Sequence, residues 1–82
     1  MDIDIDTGRM KRDIHAMPDD LREAIEARRL TKAYRDRPAY QQNDYVGWIN
    51  RAKLPETRSK RLAQMLDELE RGGVYMHMKW NG

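Results

Sequence analysis

Cysteine and phenylalanine are both missing from this 82-residue chain. Without cysteine there is no disulfide, no thiolate nucleophile and no thiolate metal ligand. Histidine is nearly as scarce: His15 and His77 stand near opposite ends with no ligand pattern beside them, and read as solvated side chains. No apolar run approaches the roughly 18 residues of a membrane-spanning helix. No apolar stretch follows a basic segment near Met1, so the expectation is a soluble, cytoplasmic protein. Large aliphatic residues are few as well, with thirteen Leu, Ile and Val in all. That falls below the roughly 20% at which disorder becomes a concern, but only where net charge is also high. Here it is +2, and six Met, seven Ala, four Tyr and two Trp supply part of the missing apolar volume. The result is one small domain with a folded middle. At this size a core contributes only a few kcal/mol net, so each large side chain counts.

Chemistry-bearing constellations are absent too. There is no Ser/His/Asp arrangement, no phosphate-cradling glycine loop and no metal-ligand cluster. No catalytic residue, metal site or cofactor is therefore assigned, and the chain is not read as an enzyme. The paired acids Asp19-Asp20 and Asp67-Glu68 suit exposed helix positions better than a general acid and base.

What is present is organised by proline and by helical spacing. Met1–Asp6 alternates acid and isoleucine, as an edge strand or an unpaired tail would. Pro18 suits the first position of a helix, with Asp19 and Asp20 in its favourable first turn. Leu21, Ala24, Ile25 and Arg28 share one face of it. The pattern shifts phase near Arg29–Leu30, and Leu30, Ala33 and Tyr34 form a short second stripe ending before Pro38. Pro38 opens a third helix, running to about Lys53, with Tyr45, Trp48, Ile49 and Ala52 on one face. Gly47 lies off that stripe and reads as an exposed position that tolerates glycine, at a cost of about 1 kcal/mol against alanine. Pro55 begins a fourth helix, with Leu62, Met65 or Leu66, and Leu69 as its stripe and Ala63 at the margin. Glu56–Lys60 and Asp67–Arg71 are i, i+4 pairs, and Arg71-Gly72-Gly73 is a stop. Val74–Trp80 alternates again, with Val74, Met76 and Met78 on one side; it is an edge strand that could pair with the N-terminal one, or a tail.

The predicted fold is all-α, a small bundle of three to four short helices, with room for a minor terminal β-ribbon. Residues 1–16 form a tail or edge strand, 17–73 the helical domain, and 74–82 a second tail or edge strand. The expected core is Leu21, Ile25, Tyr34, Tyr45, Trp48, Ile49, Leu62, Leu66 and Leu69.

Charge is uneven. Residues 28–61 hold ten basic side chains against Asp36, Asp44 and Glu56, an excess of +7. Such asymmetry can mark a nucleic-acid or acidic-partner surface, but helical rotation scatters the cations over several faces, and no aromatic–basic interleaving for single strands is present. Nucleic-acid binding is the alternative reading, not the leading one. Within the segment Arg58 and Arg61 are the least surface-like. Either their stems lie on apolar surface or over Trp48 while their heads pair with Asp44 or Glu56, or they converge with Lys53 on a phosphate or carboxylate. Lys53, Glu56, Arg58 and Arg61 are accordingly the candidate binding residues, for a small anion or a protein partner.

The string Trp48-Ile49-x-x-Ala52-Lys53-x-Pro55-Glu56-Thr57-Arg58-x-x-Arg61-Leu62, with Tyr45 ahead of it, resembles the YdeI/OmpD-associated (bacteriocin-protection, OmdA-like) family of bacterial proteins. The resemblance extends from Met17-Pro18-Asp19-Asp20-Leu21 through Gly72. It departs at Gly47, where a charged or bulky residue is expected, and in a shorter N-terminal portion than many members carry. The resemblance implies a helical module and a non-enzymatic role in resistance to bacteriocins or related stress, with some relatives periplasmic. It carries over no catalytic residues.

Overall fold

The computed structural model describes residues 16–80. The alternating stretch Met1–Asp6 and His15 lie outside these, as does any pairing of the N-terminal stretch with another strand. Four helices follow one another: α1 (Asp19–Ala27), α2 (Thr31–Arg35), α3 (Ala39–Asn50) and α4 (Pro55–Arg71). A two-stranded antiparallel ribbon, β1 (Val74–Tyr75) and β2 (Met78–Lys79), closes the described chain. The mostly helical architecture with a minor terminal ribbon is the one the sequence predicts.

Proline sets the helix starts. Pro18 and Pro38 are extended N-cap residues of α1 and α3, one position earlier than expected, and Pro55 is the first residue of α4. No side-chain hydrogen bond caps any of the four helices. The phase shift after α1 has a definite cause. Arg29 is left-handed (φ 59°), its N–H bonds Glu26 O at 3.0 Å, and the Leu30 N–H bonds Ile25 O at 2.9 Å. That is the Schellman pattern, with buried Leu30 beyond the stop and buried Ile25 inside it. The chain therefore restarts as α2 with a new apolar phase.

Leu21, Ile25, Leu30, Tyr45, Val46, Ile49, Met65, Leu66 and Leu69 form the buried core. Trp48, Tyr34 and Leu62, all expected inside, are only partly buried and pack against its edge. Helix α4 is the hub, touching α3, α2 and the ribbon, while α1 leans on α2. Two positions on α3 differ from expectation. Gly47 is buried rather than exposed, and Gln41 and Val46 are buried as well. A single stripe cannot describe α3, because neighbours cover more than one of its sides. The helix also ends at Asn50 rather than near Lys53.

Residues 74–80, whose alternation allows an edge strand or a tail, form a hairpin instead. They fold back on themselves, with Val74 opposite Lys79 and Tyr75 opposite Met78. Met76 and His77, the two residues between, are both left-handed (φ 51° and 65°), the sign a type I′ hairpin turn requires at both central positions.

Candidate functional site

The four residues singled out by sequence sit around the α3–α4 turn, but they do not converge on one point. Arg58 Nη2 reaches Asp20 Oδ1 and Oδ2 at 3.1 and 3.2 Å, while Nη1 bonds Asn50 Oδ1 at 3.0 Å. It thereby ties α4 to α1 and to the end of α3, rather than to Asp44 or Glu56. Arg61 Nη1 donates to the Trp48 carbonyl at 2.6 Å, with its guanidinium carbon 5.3 Å from the Trp48 ring centre. This is the expected stacking over Trp48, but the head finds a carbonyl instead of a carboxylate. Both arginines fasten helices together. Lys53 and Glu56 are exposed and make no ion pair with another described residue, so the Glu56–Lys60 spacing stays open, whereas Asp67–Arg71 closes at 3.2 Å.

The turn has an exposed tip instead. Arg51, Lys53 and Leu54 all face solvent, and Leu54 is 59% exposed, among the most exposed large apolar side chains of the described residues. Elsewhere in the basic segment, Arg28 pairs with Glu70 and Lys32 with Asp36, each at 2.8 Å. Arg37 is 4% exposed. Among the described residues, Arg29, Arg35, Arg51, Lys53 and Lys60 have no acid partner within ion-pair range, and they are spread over the two turns, α2 and α4.

A second constellation lies toward the other end of α4. Glu68, expected at the surface, is 2% exposed and forms the centre of a polar network. Its Oε1 accepts from the Tyr45 hydroxyl at 2.5 Å and from the Met76 N–H at 2.8 Å. Its Oε2 accepts from the His77 N–H at 2.9 Å and from Gln64 Nε2 at 3.0 Å. Burial alone pushes this carboxyl's pKa up, but hydrogen bonds from Tyr45, from the two backbone amides and from Gln64 outweigh it and hold the group below its ordinary value. Burial raises the Tyr45 phenol, and the bonded carboxylate raises it further. The arrangement also accounts for the ribbon's turn. Left-handed conformation costs a non-glycine residue about 1 kcal/mol or more, and Met76 and His77 each adopt it with an N–H aimed at one oxygen of Glu68.

Beside this carboxylate Arg37 is buried without a carboxylate partner among the described residues. Its Nη1 bonds Gln41 Oε1 at 3.1 Å, its Nη2 bonds the Glu68 carbonyl at 2.8 Å, and its guanidinium lies 4.5 Å from the Trp80 ring centre. The negative end of the α4 dipole and the Trp80 ring face balance its charge. Tyr75 adds edge-on contacts to Tyr40 and Tyr45, with ring centres 6.0 and 5.4 Å away, and its hydroxyl donates to Asp44 Oδ2 at 2.7 Å.

Sequence reasoning missed Glu68, Arg37 and Gln41. Two of them carried a usable spacing: Glu68 is three residues past Met65, and Gln41 four before Tyr45, so each shares a buried face. Arg37, in the loop before Pro38, carried none.

No curated protein and no solved structure matches the chain. The model of one protein family does, over residues 15–72, a span that includes the Trp48–Leu62 string and all four helices and ends at the stop of α4. The chain belongs to the OmdA family, described as bacteriocin-protection, YdeI or OmpD-associated.

Proposed function

We propose that this protein is a non-enzymatic binding module acting in bacteriocin protection, and that it docks an acidic surface of a protein partner on its α3–α4 turn. The observation that carries this reading is the exposed tip Arg51–Lys53–Leu54, where two cations with no acid partner among the described residues precede a leucine left 59% open to solvent. An exposed apolar side chain beside cations offers an acidic partner surface a small contact with a complementary charged rim. A small-anion clamp is less well supported, because Asp20 and the Trp48 carbonyl already occupy Arg58 and Arg61. Nucleic-acid binding by the basic segment is also less well supported: Arg28, Lys32 and Arg58 are ion-paired, and Arg37 and Arg61 are engaged in the fold. A role outside catalysis agrees with the state of Glu68, whose carboxylate is held ionised by four donors and so is not poised to give or take a proton.

The test uses Lys53→Glu with Leu54→Ser in a bacteriocin-sensitive strain that depends on this protein for survival. Serine at the N-cap and an acid beside it favour α4, so the fold should gain if anything. Loss of protection with an unchanged or higher melting temperature is the expected result. Wild-type protection from the double variant would remove the turn from the function. Salt-sensitive binding of labelled duplex at low ionic strength, weakened by the same substitutions, would favour nucleic acid instead.

A further inference from the structure

The family match ends at Gly72, yet the hairpin that follows is fastened to residues inside it. Three attachments hold it. The Met76 and His77 amides meet the two oxygens of Glu68, the Tyr75 hydroxyl meets Asp44, and the Trp80 ring covers Arg37. Beneath it lie buried Tyr45, Gln41 and Arg37. We infer that residues 73–80 form a lid over the α3–α4 face, latched by the Glu68 carboxylate, and that neutralising this carboxylate opens the lid while the helices stay folded.

The latch is charge-dependent because of what Glu68 meets. Its partners from the lid are two N–H groups, and only acceptors can satisfy them. A protonated carboxyl accepts more weakly at both oxygens, and its proton is accommodated only if the Tyr45 hydroxyl turns from donor to acceptor. Met76 and His77 would then hold left-handed backbones with less to reward them. The nine-residue core of the helices includes no lid residue, and Tyr75 and Met76 pack only against its edge. The charged and titratable groups around the site are Tyr45 and Asp44 from α3, Arg37 from the loop before it, and Tyr75 and His77 from the lid. The exposed His77 imidazole is peripheral to the latch, its Nδ1 3.9 Å from Glu68 Oε2. Acid therefore loosens it through the carboxylates that hold it, Glu68 at the two turn amides and Asp44 at the Tyr75 hydroxyl.

Amide hydrogen exchange of the full chain tests the idea, read at Met76 and His77 for the lid and at Met65 and Ile49 for the helices. In Glu68→Gln at neutral pH the lid amides should exchange at least tenfold faster than in wild type, with helix protection unchanged. Adding acid to the wild-type chain should release the lid amides at a higher pH than the helix amides, and this arm needs no variant to fold. Lid amides as protected in Glu68→Gln as in wild type would overturn the latch. So would lid and helix amides that lose protection at one common pH, which would make Glu68 a residue of the global fold.

Discussion

The two ends of α4 hold polar side chains by different means. Toward its N-terminus, Arg58 reaches across to Asp20 at the molecular surface, where water competes for both groups and salt screens them. Ten residues further on, about 15 Å along the axis, Glu68 is shut away from water and depends wholly on protein donors. A surface pair is worth about 0–1 kcal/mol. A buried charge that loses its partners costs several. On one helix, burial decides how much a charged group matters more than the number of its contacts does.

Substitutions can break or sharpen that contrast. Glu68→Ala should destabilise the closed hairpin by about 3–5 kcal/mol, read as faster amide exchange at Met76 and His77, since it strands two turn amides and the Tyr45 hydroxyl. A loss below about 1 kcal/mol would put both ends of α4 in the same class. Acid should act on the same group. The folded-state pKa of Glu68 is depressed, so its contribution is complete above the unfolded value of roughly 4.3 and disappears as pH falls through the lower folded value. Protection of the Met76 and His77 amides, followed from pH 6 down to pH 2, should therefore fall more steeply for wild type than for Glu68→Gln. Parallel curves would show that the network does not hold the charge.

Trp48→Ala comes next, at about 2 kcal/mol, less than the 3–5 of a fully buried ring, because Trp48 is only partly covered and lies under Arg61. A larger loss would move the indole into the core. The smallest effect is expected from Arg58→Ala, about 1 kcal/mol and shrinking in 1 M salt. Combining it with Asp20→Asn in a double-mutant cycle isolates the pair. A coupling energy insensitive to salt would mean this end is less exposed to solvent than its geometry implies.

Much of the fold could be read from short-range rules. Pro18, Pro38 and Pro55 start three helices because a fixed φ and a missing N–H suit only that place. Gly72, at φ 82°, ends α4 where a side chain would be strained. Leu21 and Ile25, Tyr45 and Ile49, and Leu66 and Leu69 are buried at helical spacings that can be counted along the chain. The family string around Trp48 identified the module. These are local properties: each depends on a residue and its neighbours within about one turn.

The placement of polar groups was decided otherwise. Asp67 and Glu68 are adjacent acids on the same helix, one exposed and the other 2% exposed, and only the packing of α3 and the hairpin against α4 tells them apart. Arg58 took its acid from α1, 38 positions earlier, rather than from the closer Asp44 or Glu56. Gly47 went inside because α3 is covered on more than one side. Met76 and His77 turned the chain where no asparagine or glycine announced it, since the carboxylate that rewards the turn stands eight and nine residues back on another element. Helix starts, stops and stripes follow from backbone sterics and hydrophobic period, which a chain carries with it. Which charge is buried depends on what covers it, and that exists only once the elements have packed.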